Sequence, residues 1–213
     1  MSLLPSSATF EERVQDCFLA YRGFGVMLSA LDVELLERWA LLQVPFEVVA
    51  RGIRKAAEGA LWDARPGETL RSLRACKRQV EAEIKKHLGA TVGKEGELAA
   101  VDVPTHLRRH KKLTAVLKKL SREKPQVASG IARLLAGPLA EPPADLERSS
   151  RQEELVYLGL LRALPFAERL VLLREAAALA QNGASLSARA KVLSRRFHRA
   201  AVVRRRLSLP PFW

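Results

Sequence analysis

His106 and His110 stand four residues apart, a spacing that on a helix turns both imidazoles to one side, where they could share a metal. Such a site needs further ligands, and no Cys, Asp or Glu lies nearby at a telling spacing. Flanking Arg108, Arg109, Lys111 and Lys112 would repel a cation. A solvated or phosphate-facing pair is therefore expected, with no metal and no other cofactor. His87 and His198 stand alone among basic residues. Glu11–Glu12 and Glu153–Glu154 are sequence neighbours and read as charges in early helical turns. Gly93 and Gly96 lack the strand and helix that frame a phosphate loop. No Ser or Cys sits in a nucleophile elbow. The residue types point away from an enzyme.

The chemistry they do suggest is phosphate contact. Lys and Arg number 36 against 23 Asp and Glu, a formal charge of +13, which attracts polyanions. A codon bias towards Arg, Ala and Leu would raise the charge without any ligand. The excess is clustered, however. From Pro104 to Lys124 stand Arg108, Arg109, Lys111, Lys112, Lys118, Lys119, Arg122 and Lys124, with Glu123 the sole acid. From Ser185 to the end stand Arg189, Lys191, Arg195, Arg196, Arg199, Arg204, Arg205 and Arg206, with no acid. A more diluted cluster combines Arg71, Arg74, Lys77, Arg78, Lys85 and Lys86 with Glu81 and Glu83. Like charges one helical turn apart repel by a few tenths of a kcal/mol per pair. Phosphates would relieve that repulsion and release counterions. Two alternatives need no ligand: cations at a helix C-terminus complement its dipole, and acids in 141–154 could neutralise the helices internally.

The candidate phosphate contacts are Arg108, Arg109, Lys111, Lys112, Lys118, Lys119, Arg189, Arg195, Arg196 and Arg199. Arg189, Arg196 and Arg199 are spaced seven and three, as on one helical face. A major-groove reader at 181–201 is disfavoured, because Arg189 falls where a packing residue is wanted. Aromatics make up 6% of the chain, too few for a stacking platform on single strands. Backbone contact without sequence readout fits better.

These residues must be positioned by helices, because the apolar period is helical nearly everywhere and no strand alternation appears. An all-α fold is expected. The first helix runs from about Thr9 to Tyr21 and ends at Gly23 and Gly25. A second follows an N-cap at Ser29, with Leu31, Leu35, Trp39 and Leu42 inward. Pro45 opens a third, with Phe46, Val49, Ile53, Ala56, Ala57 and Ala60 inward. A fourth spans about 69–88, with Leu70, Leu73, Cys76, Val80 and Ile84 inward. Residues 1–90 thus form a four-helix unit, 91–103 a Gly-containing linker, and 104–213 a basic helical unit. The second bundle begins with a helix from Pro104 carrying Leu107, Leu113, Leu117 and Leu120. Further helices follow at about 125–135, 144–163, 165–181 and, capped by Ser185, 186–207.

The stretch from Phe24 to Glu58 resembles the DnaD-like primosomal domain. The matching positions are Phe24, Gly25, Leu28, Ser29, Glu34, Leu36, Trp39, Val49, Ile53 and Ala57. The helix with Leu73 and Cys76 lies where that family carries a tyrosine-containing segment; here the tyrosine is replaced, and the family's terminal tryptophan is missing. The resemblance covers residues 24–84. It implies a DNA-binding, oligomerising helical module of replication restart or initiation, hence DNA ahead of RNA and a homo-oligomer as one expectation.

Cys17 and Cys76 lie on or beside apolar stripes and are expected to be buried and reduced. The first ten residues lack a signal-peptide pattern, and charges interrupt the apolar stretch 155–180, so a cytoplasmic location without a membrane partner is expected. The end of the chain, Leu209-Pro210-Pro211-Phe212-Trp213, is apolar. Phe212 and Trp213 either fold onto the core or dock on a protein partner, as an adaptor subunit would.

Overall fold

A computed structural model describes residues 8–25, 27–63, 70–92, 104–180 and 185–210. Among them every regular element is helical, as the periodicity predicts. The order is α1 (Phe10–Arg22), α2 (Ala30–Leu41), α3 (Phe46–Asp63), a 3-10 turn (Leu73–Cys76), α4 (Lys77–Val92), α5 (Thr105–Glu123), α6 (Pro125–Ala136), α7 (Leu146–Ala163), α8 (Phe166–Leu179) and α9 (Ala188–Leu207). No described helix is long and apolar enough to cross a membrane. Residues 93–103 of the expected linker, and Phe212 and Trp213, lie outside the described residues.

Local chemistry sets the helix ends. Thr9 and Glu12 form a capping box, each side chain accepting from the other's backbone N–H at 3.2 and 3.1 Å. Gly23, at φ 85°, closes α1 by donating its N–H to the Leu19 carbonyl, a left-handed position that glycine adopts without strain. The Ser29 hydroxyl caps α2 by accepting from the Asp32 N–H. The carboxylate of Asp32, 2% exposed, accepts in turn from the Arg74 N–H at 3.2 Å. That contact ties the start of α2 to the 3-10 turn.

The chain divides into two compact units: Met1–Glu97 with Ala180–Phe197, and Leu98–Leu179 with His198–Trp213. Residues 180–197, expected with the second bundle, thus group with the first unit. The core of the first unit is built on Val14, Phe18, Trp39, Val49, Ile53 and Val80. Tyr21 of α1 and Phe197 of α9 stack there at 4.4 Å. Cys17 and Cys76 are buried free thiols, and burial pushes Cys17 up to about 11. Both cysteines are therefore protonated packing residues near neutral pH. The core of the second unit includes Leu117, Val127, Ile131, Val156 and Leu160.

The expected inner stripe of α2 is rotated. Leu35 and Trp39 are buried as expected, but Leu31 is 57% and Leu42 48% exposed, and Asp32 and Leu36 are buried instead. The period identifies a helix, but α1 and the 3-10 turn, against which α2 packs, select the buried arc.

Close approach of α3 and α4 sets one stability prediction. A Cβ on Gly52 would stand 2.4 Å from Val80 Cα and 2.7 Å from its backbone nitrogen, neither of which yields without moving α4. Gly52→Ala should destabilise the protein by about 2 kcal/mol or more, despite alanine's better helix propensity. Gly89→Ala, with nothing within 4 Å of the new Cβ, should be neutral or stabilising by up to about 1 kcal/mol. Urea unfolding followed by circular dichroism compares the two.

Candidate nucleic-acid interface

Helix α5 is amphipathic in the strict sense. Leu113, Leu117 and Leu120 are buried, and α5 packs them against α6 and α7. The opposite arc carries Arg108, Lys111, Lys112, Lys118, Lys119 and Arg122, all exposed, while Arg109 is half-buried on the flank. The first turn of α5 contains no acid. Cations near the N-terminus of a helix oppose its dipole, so the dipole gives Arg108 and Arg109 no support there. The single acid, Glu123, sits 3.6 Å from Lys119, with both side chains solvated. Such an exposed pair contributes little. No opposite charge lies within ion-pair distance of Lys111, Lys118 or Arg122 among the described residues.

His110 is held by a side chain of α7. Its Nδ1 lies 3.2 Å from the Gln152 side-chain oxygen on α7. The Gln152 amide donates to the carbonyls of Pro138 and Glu141, at 3.0 Å each, and so pins the proline-rich loop. Among the described residues no three His, Cys, Asp or Glu side chains gather as a metal site.

Helix α9 is capped by Ser187, whose hydroxyl accepts from the Ala190 N–H at 3.0 Å. The expected cap, Ser185, instead accepts from the Gly25 N–H at 3.1 Å. Of the four predicted contacts on α9, Arg195, Arg196 and Arg199 are exposed. Arg189 is not placed like them. Its guanidinium donates to Asp16 on α1 at 2.9 Å, and the pair is partly buried. Its shared face with Arg196 and Arg199 holds along the helix axis, but its charge is satisfied within the first unit. Arg189, Arg195 and Arg196 belong to that unit and Arg199 to the second.

Within the second unit the ends of the two basic helices meet. Lys124 Nζ donates to the carbonyl of Arg206 at 3.4 Å, and the Arg206 guanidinium is bonded to Glu168. Arg122 and Arg205, close to these residues in sequence, are exposed and lie outside the predicted set. Eighty-two residues separate Lys124 from Arg206, so spacing gives no sign of their proximity.

The third basic cluster is partly structural. Glu83, 4% exposed, receives Lys55 at 2.6 Å, Lys86 at 3.2 Å and Arg51 at 3.4 Å. Burial alone would raise the Glu83 carboxyl. The hydrogen bond and charge of Lys55, then Lys86 and Arg51, outweigh burial and hold it below the usual carboxylate range. Burial, and then the charge of Arg51, lowers His87. Arg71, Arg74, Lys77, Arg78 and Lys85 remain exposed on the 3-10 turn and its approach and on α4.

No family model, no curated protein and no solved structure matches this chain.

Proposed function

We propose that this chain is a non-enzymatic nucleic-acid-binding protein that grips the phosphate backbone, with α5 as the principal contact. The carrying observation is the exposed cationic arc of α5, set opposite its buried leucines. Lateral repulsion along that arc is relieved when phosphates displace condensed counterions. Arg195, Arg196 and Arg199 on α9 supply further contacts, and Arg189 a structural ion pair. Contacts of this kind position a duplex without reading its bases. DNA is favoured over RNA by the DnaD-like resemblance of residues 24–84, which also suggests a role in replication or maintenance.

Fluorescence anisotropy of a mixed-sequence duplex across a salt series tests the reading. Affinity should fall linearly in log–log form, with a slope of about −0.9 per phosphate neutralised. No binding at low salt would end the proposal. A second reading, a helical adaptor, draws on the apolar side chains exposed on α7 and α8: Phe166 at 65%, Val171 at 60% and Leu155 at 44%. Protein capture that survives nuclease and moderate salt, with no duplex binding, would favour it.

A further inference from the structure

The outer face of α2 reads the same from either end. Leu31, Glu34, Arg38 and Leu41 follow one another at steps of three, four and three, which places them on one helical arc. Leu31 and Leu41 are equally far from Leu36 in sequence, and so are Glu34 and Arg38. The arc is open: Leu31 is 57% and Leu41 82% exposed, and Glu34 and Arg38 are exposed too. No opposite charge lies within ion-pair distance of either Glu34 or Arg38 among the described residues.

We infer that this face binds the same face of a second copy, with the two α2 helices antiparallel about a two-fold axis near Leu36. A two-fold operation pairs position 31 with 41 and 34 with 38. Each leucine then meets a leucine, and each Glu34 meets an Arg38 across the interface, twice over. The neighbouring surface extends the apolar contact. Leu42, 48% exposed, and Leu88, 39% exposed, rim a groove of about 540 Å³ between α2 and α4, floored by Trp39 and Ile84.

Charge favours this occupant. A chain of +13 repels its own copies over most of its surface. The exposed side of α2 is not cationic, because Glu34 and Glu37 stand there against Arg38. It lets two cationic chains approach with Glu34 of each set against Arg38 of the other, and Glu81 stands beside Lys85 at the groove. The four side chains of the inferred contact are also dispensable to the monomer core, so their substitution separates association from folding. The inference is independent of phosphate binding, which is assigned to α5 and α9.

Sedimentation velocity on nuclease-treated full-length protein, over a wide concentration series, tests it. The wild type should show a reversible monomer–dimer equilibrium. E34R alone presents two cations to two cations, and R38E two anions to two anions. Each should weaken dimerisation by about tenfold or more, with circular dichroism unchanged. An equimolar mixture of E34R with R38E should recover the dimer as a mixed pair, and so should the double variant E34R/R38E. Wild type that is monomeric at every concentration, single reversals that dimerise as tightly as wild type, or a mixture that fails to recover association would each overturn the inference.

Discussion

Reversing Lys111, Lys118 and Arg122 together to glutamate is expected to lower duplex affinity by about a hundredfold or more near physiological salt. Each lost phosphate contact removes roughly 1 kcal/mol of binding, and about 1.4 kcal/mol is a factor of ten. All three side chains are exposed on the arc of α5 opposite Leu113, Leu117 and Leu120. Stability should therefore change by no more than about 0.5 kcal/mol per site, as for ordinary surface positions. The salt slope should shrink along with the affinity, by about 0.9 for each contact removed. Arg189→Ala gives the contrast. Its guanidinium is engaged with Asp16, so the loss should appear in thermal stability rather than in duplex affinity. Anisotropy titrations of wild type and both variants at several salt concentrations decide. An α5 triple variant that binds as tightly as wild type would remove α5 from the interface.

Glu83→Ala should cost about 3–5 kcal/mol of stability. Arg51 is 8% exposed and would lose the carboxylate at 3.4 Å. Lys55 and Lys86 are more exposed and can turn towards water; Arg51 cannot do so as easily. The pH dependence follows from the lowered Glu83 carboxyl. A group depressed on folding stabilises the native state above its unfolded pKa, about 4.3 for Glu, and this contribution disappears as pH falls through the folded value. Acid should thus weaken the wild type through Glu83, and Glu83→Ala should flatten that part of the acid limb. Urea unfolding at pH 7 and at several acidic values measures both effects. A Glu83→Ala loss below about 1 kcal/mol would show that the cluster is solvated.

The helices themselves are readable because caps and apolar period are local. Thr9, Gly23, Ser29 and Pro125 mark ends that the structure places within a residue or so of expectation. The basic arc of α5 is readable for the same reason, since a single helix displays it. Where several local choices compete, neighbours decide. The fourth helix, expected from about residue 69, opens as a 3-10 turn at Leu73, whose Arg74 N–H is taken by Asp32. Ser185, the expected cap of α9, accepts from the Gly25 N–H instead, and Ser187 caps the helix.

An all-helical chain, the approximate extent of its helices and the clustering of its cations are thus legible from the residues alone. Those properties depend on residues within a turn or two of one another. Packing between helices selects which arc of α2 is buried, pairs Arg189 with Asp16 while Arg195 and Arg199 face solvent, and brings Lys124 to Arg206. A long-range ion pair depends on how helices distant in sequence come together. Charge and spacing along one segment carry no record of the partner that another segment will supply.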